Sequence, residues 1–118
     1  TNNRLDLKRN GLLPLVSFAR TLALRIGSTA RSTPERIRDV INSGRISEGD
    51  AVRLIELQKT LLTLILQQQL KDAGSGIPPG SHVEIKELDK PVYKKLVQEL
   101  KHLDTMVMEI QSFITAKK

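Results

Sequence analysis

The chain has 118 residues, enough for one hydrophobic core without disulfides or a structural metal. It contains no Cys, so disulfides, thiolate metal sites and thiol catalysis are excluded, and with no Trp, one Tyr and two Phe its core is aliphatic. Nineteen Lys and Arg against thirteen Asp and Glu give a net charge of +6, which favours anionic partners. Residues 1–59 hold eleven of these cations, nine of them Arg, against six carboxylates. Such a charge is also what a well-solvated basic surface shows. No apolar run is long enough to span a membrane and no signal peptide is visible, so a soluble, cytoplasmic protein is expected. The first residue is Thr1 rather than Met, and the chain is read as a fragment of a longer multidomain protein, a single helical domain over residues 1–118.

Residues 1–11 form a polar, basic lead-in in which Leu5 and Leu7 alternate as in an extended segment, broken by Gly11. A first helix is predicted over residues 12–26. Pro14 is tolerated in its first turn, Leu15, Phe18, Ala19, Leu22 and Ile26 lie at helical spacing, and Gly27 closes it. Ser32 or Thr33 starts a second helix, with Pro34 and Glu35 in its first turn, the apolar residues Ile37, Val40 and Ile41, and Gly44 at its end.

Ser47, with Asp50 three residues on, opens a long third helix running to about Asp72. Its wide apolar face, including Leu54, Leu57, Leu61, Leu62, Leu64, Ile65, Leu66 and Leu70, places it centrally, touched on more than one side. Residues 73–82 carry three Gly and two Pro and make the longest loop. Asp89 caps the last helix, where Leu96, Leu100, Leu103, Val107, Ile110 and Ile114 repeat at spacings of 4, 3, 4, 3 and 4, and Lys117 and Lys118 suit its negative end. No convincing strand occurs. The expected fold is all-α, an antiparallel four-helix bundle over residues 12–118 with two long C-terminal helices.

Catalytic constellations are scarce. His82 and His102 have no Cys or carboxylate at ligand spacing, no P-loop occurs, and Glu48 and Asp50 are explained by capping. No catalytic or metal-binding residue is assigned. The most unusual stretch is Arg4-Leu5-Asp6-Leu7-Lys8-Arg9-Asn10-Gly11-Leu12-Leu13-Pro14. Asp6 and Lys8 share a face of an extended chain. Gly11 then turns the backbone into a helix whose free N–H groups attract anions. Lys8, Arg9 and that helix end would together hold a phosphate, with Arg20 following on the first helix. The alternative is an ion-paired lead-in, with Asp6 bridged to an Arg. Gln69, in the run Gln67-Gln68-Gln69, either bonds a backbone or partner group or is simply solvated.

The same segments resemble a family of helical domains that lie C-terminal to nucleotidyltransferase domains in bacterial signalling proteins. Those proteins often also carry cyclic-nucleotide-binding and CBS domains, and their transferase domain is similar to that of PII-protein uridylyltransferases. The matching residues are the run from Leu5 to Pro14, then Ala19-Arg20, Ala23-Leu24, Thr33-Pro34-Glu35-Arg36, Ile46-Ser47-Glu48, Leu61-Leu62, Gln69-Leu70, Leu88 and Gln111.

The resemblance implies a non-catalytic bundle that packs beside an upstream nucleotidyltransferase domain of the same chain and helps to bind substrate. Asp6, Lys8, Arg9, Arg20, Arg36 and Gln69 are the candidate contacts. It implies Mg and a nucleoside triphosphate for the longer protein, bound upstream and not by this stretch. A protein acceptor and a homodimer are compatible partners; nucleic acid is not expected with so few aromatic side chains, nor is a membrane. Two places depart from the family pattern. Leu64-Ile65-Leu66-Gln67-Gln68 stands where relatives often have an Arg-rich run. Gly80-Ser81-His82-Val83-Glu84 stands where they tend to an Asn and an acidic residue before Pro. The other function these residues allow is a protein-interaction or dimerisation module of a regulatory protein without transferase activity.

Overall fold

Leu5 and Leu7 need an apolar surface to cover them, and the chain supplies one from its far end. In the computed structural model, which describes residues 4–78, 80 and 82–116 and leaves out the side chains of Glu87 and residues 110–116, the lead-in forms a strand, β1 (Arg4–Asp6). It pairs antiparallel with β2 (His82–Glu84), matching Arg4 with Glu84, Leu5 with Val83 and Asp6 with His82. Val83 is buried and Leu5 packs against the core. The molecule is therefore mainly helical with a small two-stranded sheet, which corrects the strand-free expectation. Neither three-residue strand has enough local signal to be seen alone; each exists because the other is brought beside it.

The first helix also starts earlier than its apolar spacing suggests. A π-helical turn (Lys8–Leu12) runs straight into α1 (Leu13–Arg25), with the Leu13 N–H donating to the Lys8 carbonyl. Gly11 does not break the chain. It is buried, and a Cβ there would lie 3.1 Å from side-chain carbons of both Leu61 and Leu100. The glycine is a point of close approach, where the turn presses on the two long helices.

The next two boundaries follow the sequence. Gly27 and Gly44 adopt positive φ (73° and 78°), and the backbone reverses after each, with Ser28 N–H donating to Ala23 O (2.9 Å) and Arg45 N–H to Val40 O (3.2 Å). Helix α2 (Thr33–Asn42) is capped by Ser32, whose Oγ accepts the Glu35 N–H (3.3 Å) and donates to the Glu35 carboxylate (2.9 Å). Helix α3 (Glu48–Gly74) is capped by Ser47 through the Asp50 N–H (3.1 Å). A short 3-10 turn (Ile85–Glu87) leads into α4 (Lys90–Ala116).

The core is aliphatic, as composition demands. Leu15, Phe18 and Leu22 of α1 meet Ile37 and Val40 of α2, Leu54, Leu57 and Leu61 of α3, and Leu96, Leu103 and Met106 of α4. Helices α1 and α2 pack on each other and α2 packs on α3. Between α3 and α4, Asp50 meets His102 and Arg53 meets Glu99. His102 is half-buried, its Nε2 3.2 Å from the Asp50 carboxylate. The apolar face of α3 is only partly covered, because Leu62, Leu66 and Leu70 are exposed (48%, 56% and 66%). Helical rotation carries these three past the edge of the packed face that holds Leu61 and Ile65.

No helix among the described residues is long and apolar enough to cross a membrane. Expectations placed on the side chains of Ile110, Gln111 and Ile114, and on Lys117, Lys118, Pro79 and Ser81, lie outside what the structure describes. The close contact at Gly11 has a measurable consequence. Gly11→Val is expected to lower unfolding free energy by about 2 kcal/mol through overpacking against Leu61 and Leu100. Gly11→Ala costs less, because alanine recovers about 1 kcal/mol of helix propensity. Urea denaturation of the three proteins reads the difference.

Candidate substrate-facing surface

At the C-terminal end of α3 two polar side chains, Gln68 and Asp72, continue the buried stripe of Leu61 and Ile65. Buried polar groups require partners. They find them on the two strands (β1 and β2). Arg4 grips Asp72 with both terminal nitrogens, each 3.0 Å from a carboxylate oxygen, and its Nη2 also donates to Glu84 (2.8 Å). Gln68 donates to Asp72 (3.0 Å) and accepts the Glu84 backbone N–H (3.0 Å). No buried side-chain nitrogen or oxygen among the described residues is left without a partner. The two hydrogen bonds from Arg4, then that from Gln68, hold the Asp72 carboxyl below the usual carboxylate range. Bonding to Asp72 raises the Arg4 guanidinium above its ordinary value.

This network fixes the chain just ahead of Lys8. Asp6, at the end of β1, accepts the Arg9 N–H (3.1 Å), and its other oxygen lies 3.8 Å from His82 Nε2. Asp6 thus caps the turn that begins α1. The free N–H groups expected beside Leu12 do not occur there, since the π-helical turn has already engaged that region. The open end of the helix lies further back, next to a carboxylate. The Lys8 and Arg9 side chains project from this turn, exposed and without hydrogen bonds or ion pairs among the described residues.

The six candidate contacts divide in space. Asp6, Lys8 and Arg9 sit together at the strand pair. Gln69 is near the same end of α3, where its amide donates to the Gly80 carbonyl (2.7 Å) and ties down the loop before β2. Arg20 is exposed on α1, roughly 18 Å of helix beyond Lys8. Arg36 lies past the far end of α1, its Nε donating to Ala30 O (3.2 Å), where it braces the α1–α2 loop beside the Ser28–Asp39 hydrogen bond (2.6 Å).

The strand pair and its polar network fall wholly inside a family match. The profile of the family described as "Putative nucleotidyltransferase substrate binding domain" matches residues 1–115. The chain belongs to that family. No curated protein and no solved structure matches it. Among the described residues, no group of three or more His, Asp or Glu side chains could hold a metal ion.

Four residues of the network, Arg4, Gln68, Asp72 and Glu84, do not stand out in the sequence pattern as contacts. One signal is present: Gln68 and Asp72 extend the Leu61 and Ile65 stripe at spacings of 3 and 4, polar groups on an apolar face. Their partners, at positions 4 and 84, carry no such signal. Because the Asp72 pKa is depressed on folding, its stabilisation is complete above about pH 4, the unfolded value, and is lost as pH falls through the folded value. Asp72→Asn is therefore expected to denature at lower urea than the parent at pH 7, with the gap narrowing below pH 4. A gap that stays constant down to pH 2 would contradict the assignment.

Proposed function

We propose that this domain is the non-catalytic, substrate-binding accessory module of a nucleotidyltransferase in a bacterial signal-transduction protein. The observation that carries the proposal is the family match over residues 1–115, which spans the braced turn presenting Lys8 and Arg9. In this role the domain packs against an upstream nucleotidyltransferase domain of the same chain, its helices serving as an antiparallel four-helix bundle. Lys8 and Arg9 supply positive charge to a phosphate or acidic acceptor group, Asp6 holds their turn through the Arg9 N–H, and Arg20 extends the basic surface along α1. Gln69 fixes the loop beside them and Arg36 the loop at the other end of α1. Mg and nucleoside triphosphate chemistry belong to the upstream domain. The setting is cytoplasmic, with cyclic-nucleotide-binding or CBS domains as regulatory neighbours, a protein acceptor as in PII-type uridylyl transfer, and no nucleic acid.

A second reading rests on the uncovered ridge of Leu62, Leu66 and Leu70. Apolar side chains in line at i, i+4 and i+8 suit helix-to-helix association, so the domain would be an interaction or dimerisation module. The two readings are compatible in one protein.

Lys8→Ala in the whole protein is expected to lower the transfer rate about tenfold or more, the loss that accompanies removal of a charge-assisted contact, while the circular dichroism of the domain stays unchanged. Full activity in both Lys8→Ala and Arg9→Ala would exclude the assignment. For the second reading, sedimentation at micromolar concentration should give a dimer that Leu66→Lys dissociates. A parent protein that sediments as a monomer removes the homodimer.

A further inference from the structure

Between Asp6 and Glu35 the chain holds Lys8, Arg9, Arg20, Arg25 and Arg31 and not one carboxylate. The carboxylates that border this stretch are engaged by the fold: Asp6 accepts the Arg9 N–H, Ser32 Oγ donates to Glu35, and Ser28 Oγ donates to Asp39. The side chains of Arg20 and Arg25 are exposed, without hydrogen bonds or ion pairs among the described residues. The outer side of α1 therefore carries a charge surplus of one sign.

The same side is apolar at both ends. Leu13, Ser17, Arg20 and Leu24 follow at steps of 4, 3 and 4, which puts them in one line along the helix. Leu13 and Leu24 stay 48% and 69% exposed, while Leu15, Phe18 and Leu22 on the opposite side are buried in the core. Leu24 is the most exposed large hydrophobic side chain among the described residues. Two leucines about 16 Å apart, three turns of helix, thus bracket an exposed arginine.

We propose that this stripe docks an acidic amphipathic helix of the protein acceptor, with the partner's apolar residues on Leu13 and Leu24 and its carboxylates on Arg20 and Arg25. The proposal rests on the reading of the domain as a substrate-binding module and names the feature of the acceptor that the module holds. A helix suits the stripe because a ridge at i, i+4, i+7 and i+11 repeats its spacing. Carboxylates suit it because a guanidinium fork matches their two oxygens. Exposed ion pairs add little affinity each, so the leucines carry the binding and the arginines select the sign of the partner. A lipid surface is a poorer fit. Interfacial binding grows with apolar area, and α1 has placed Leu15, Phe18 and Leu22 in the core. A nucleic-acid backbone would leave both leucines facing water.

The test is an amide-resonance titration of the 118-residue chain with peptides of about 15 residues, long enough to hold some helix in water. The first has leucines at steps of 4, 3 and 4, glutamates beside them and alanine elsewhere. A second replaces every Glu by Lys, and a third replaces every Leu by Ser. Only the first should give saturable shifts, centred on Leu13, Ser17, Arg20 and Leu24. Leu24→Ser should weaken it about tenfold, and Arg20→Gln about threefold. Arg45→Gln, exposed beyond α2, should leave it unchanged, and all three variants should keep the parent circular dichroism. The proposal is overturned by absence of saturable shifts at the stripe with the first peptide, by equal binding of the Lys peptide, by unweakened binding to Leu24→Ser or Arg20→Gln, or by shifts at the stripe that only phosphatidylglycerol vesicles produce. Transfer by the whole protein separates this proposal from the reading beneath it. Loss of transfer in Lys8→Ala or Arg9→Ala with no peptide at the stripe overturns the docking alone. Peptide binding alongside full transfer in both variants removes the substrate-binding reading and, with it, the acceptor.

Discussion

The structure turns on the grip of Arg4 on Asp72. A carboxylate placed in the buried stripe of a long helix is costly unless it is paired and fully hydrogen-bonded. Here two parallel bonds from one guanidinium, together with the Gln68 amide, meet that need. Removing either partner would strand the other in a poorly solvated place. Arg4 lies almost at the start of the chain, Asp72 at the end of α3, and Glu84 on the strand that returns to pair with β1. A single cluster therefore joins three segments remote in sequence, and the direction in which the chain enters α1 depends on it.

That anchor divides the charged groups into those that hold the fold and those that face outward. Arg4 is occupied by carboxylates; Lys8 and Arg9, a few residues on, face solvent. Asp6 links the two conditions, because it belongs to β1 and caps the turn that carries Lys8 and Arg9. The surplus charge of the domain is thus not spread evenly. One basic group is presented at the strand pair and another along α1. The arginine at position 36, by contrast, is engaged in holding a loop.

Gly11 shows how the same letter supports two opposite expectations. In the sequence it stands between a polar lead-in and an apolar helix, which is where a chain break belongs. In the fold it is the residue without a Cβ at the place where the turn meets Leu61 and Leu100. The apolar face of α3 is a similar case. Its breadth is legible in the spacing of leucines, yet Leu62, Leu66 and Leu70 remain uncovered, because four helices and two short strands provide neighbours for only part of the circumference. Of the candidate contacts, the position of Gln69 against a loop carbonyl is one of the alternatives its sequence context allows. The separation of Arg36 from Lys8 is not foreseeable, since it depends on where the α1–α2 turn sends the chain.

Four helices, the serine caps of α2 and α3, the glycine ends of α1 and α2 and an aliphatic core were determined by the sequence alone. Each of these depends on residues within a turn or two of one another, where helical periodicity and capping chemistry act. Tertiary structure decided the rest: the strand pair, the Arg4–Asp72–Glu84 network and the role of Gly11. All of these are contacts between segments tens of residues apart. Their strength comes from burial and from close complementarity of charge, which arise only once the helices have packed.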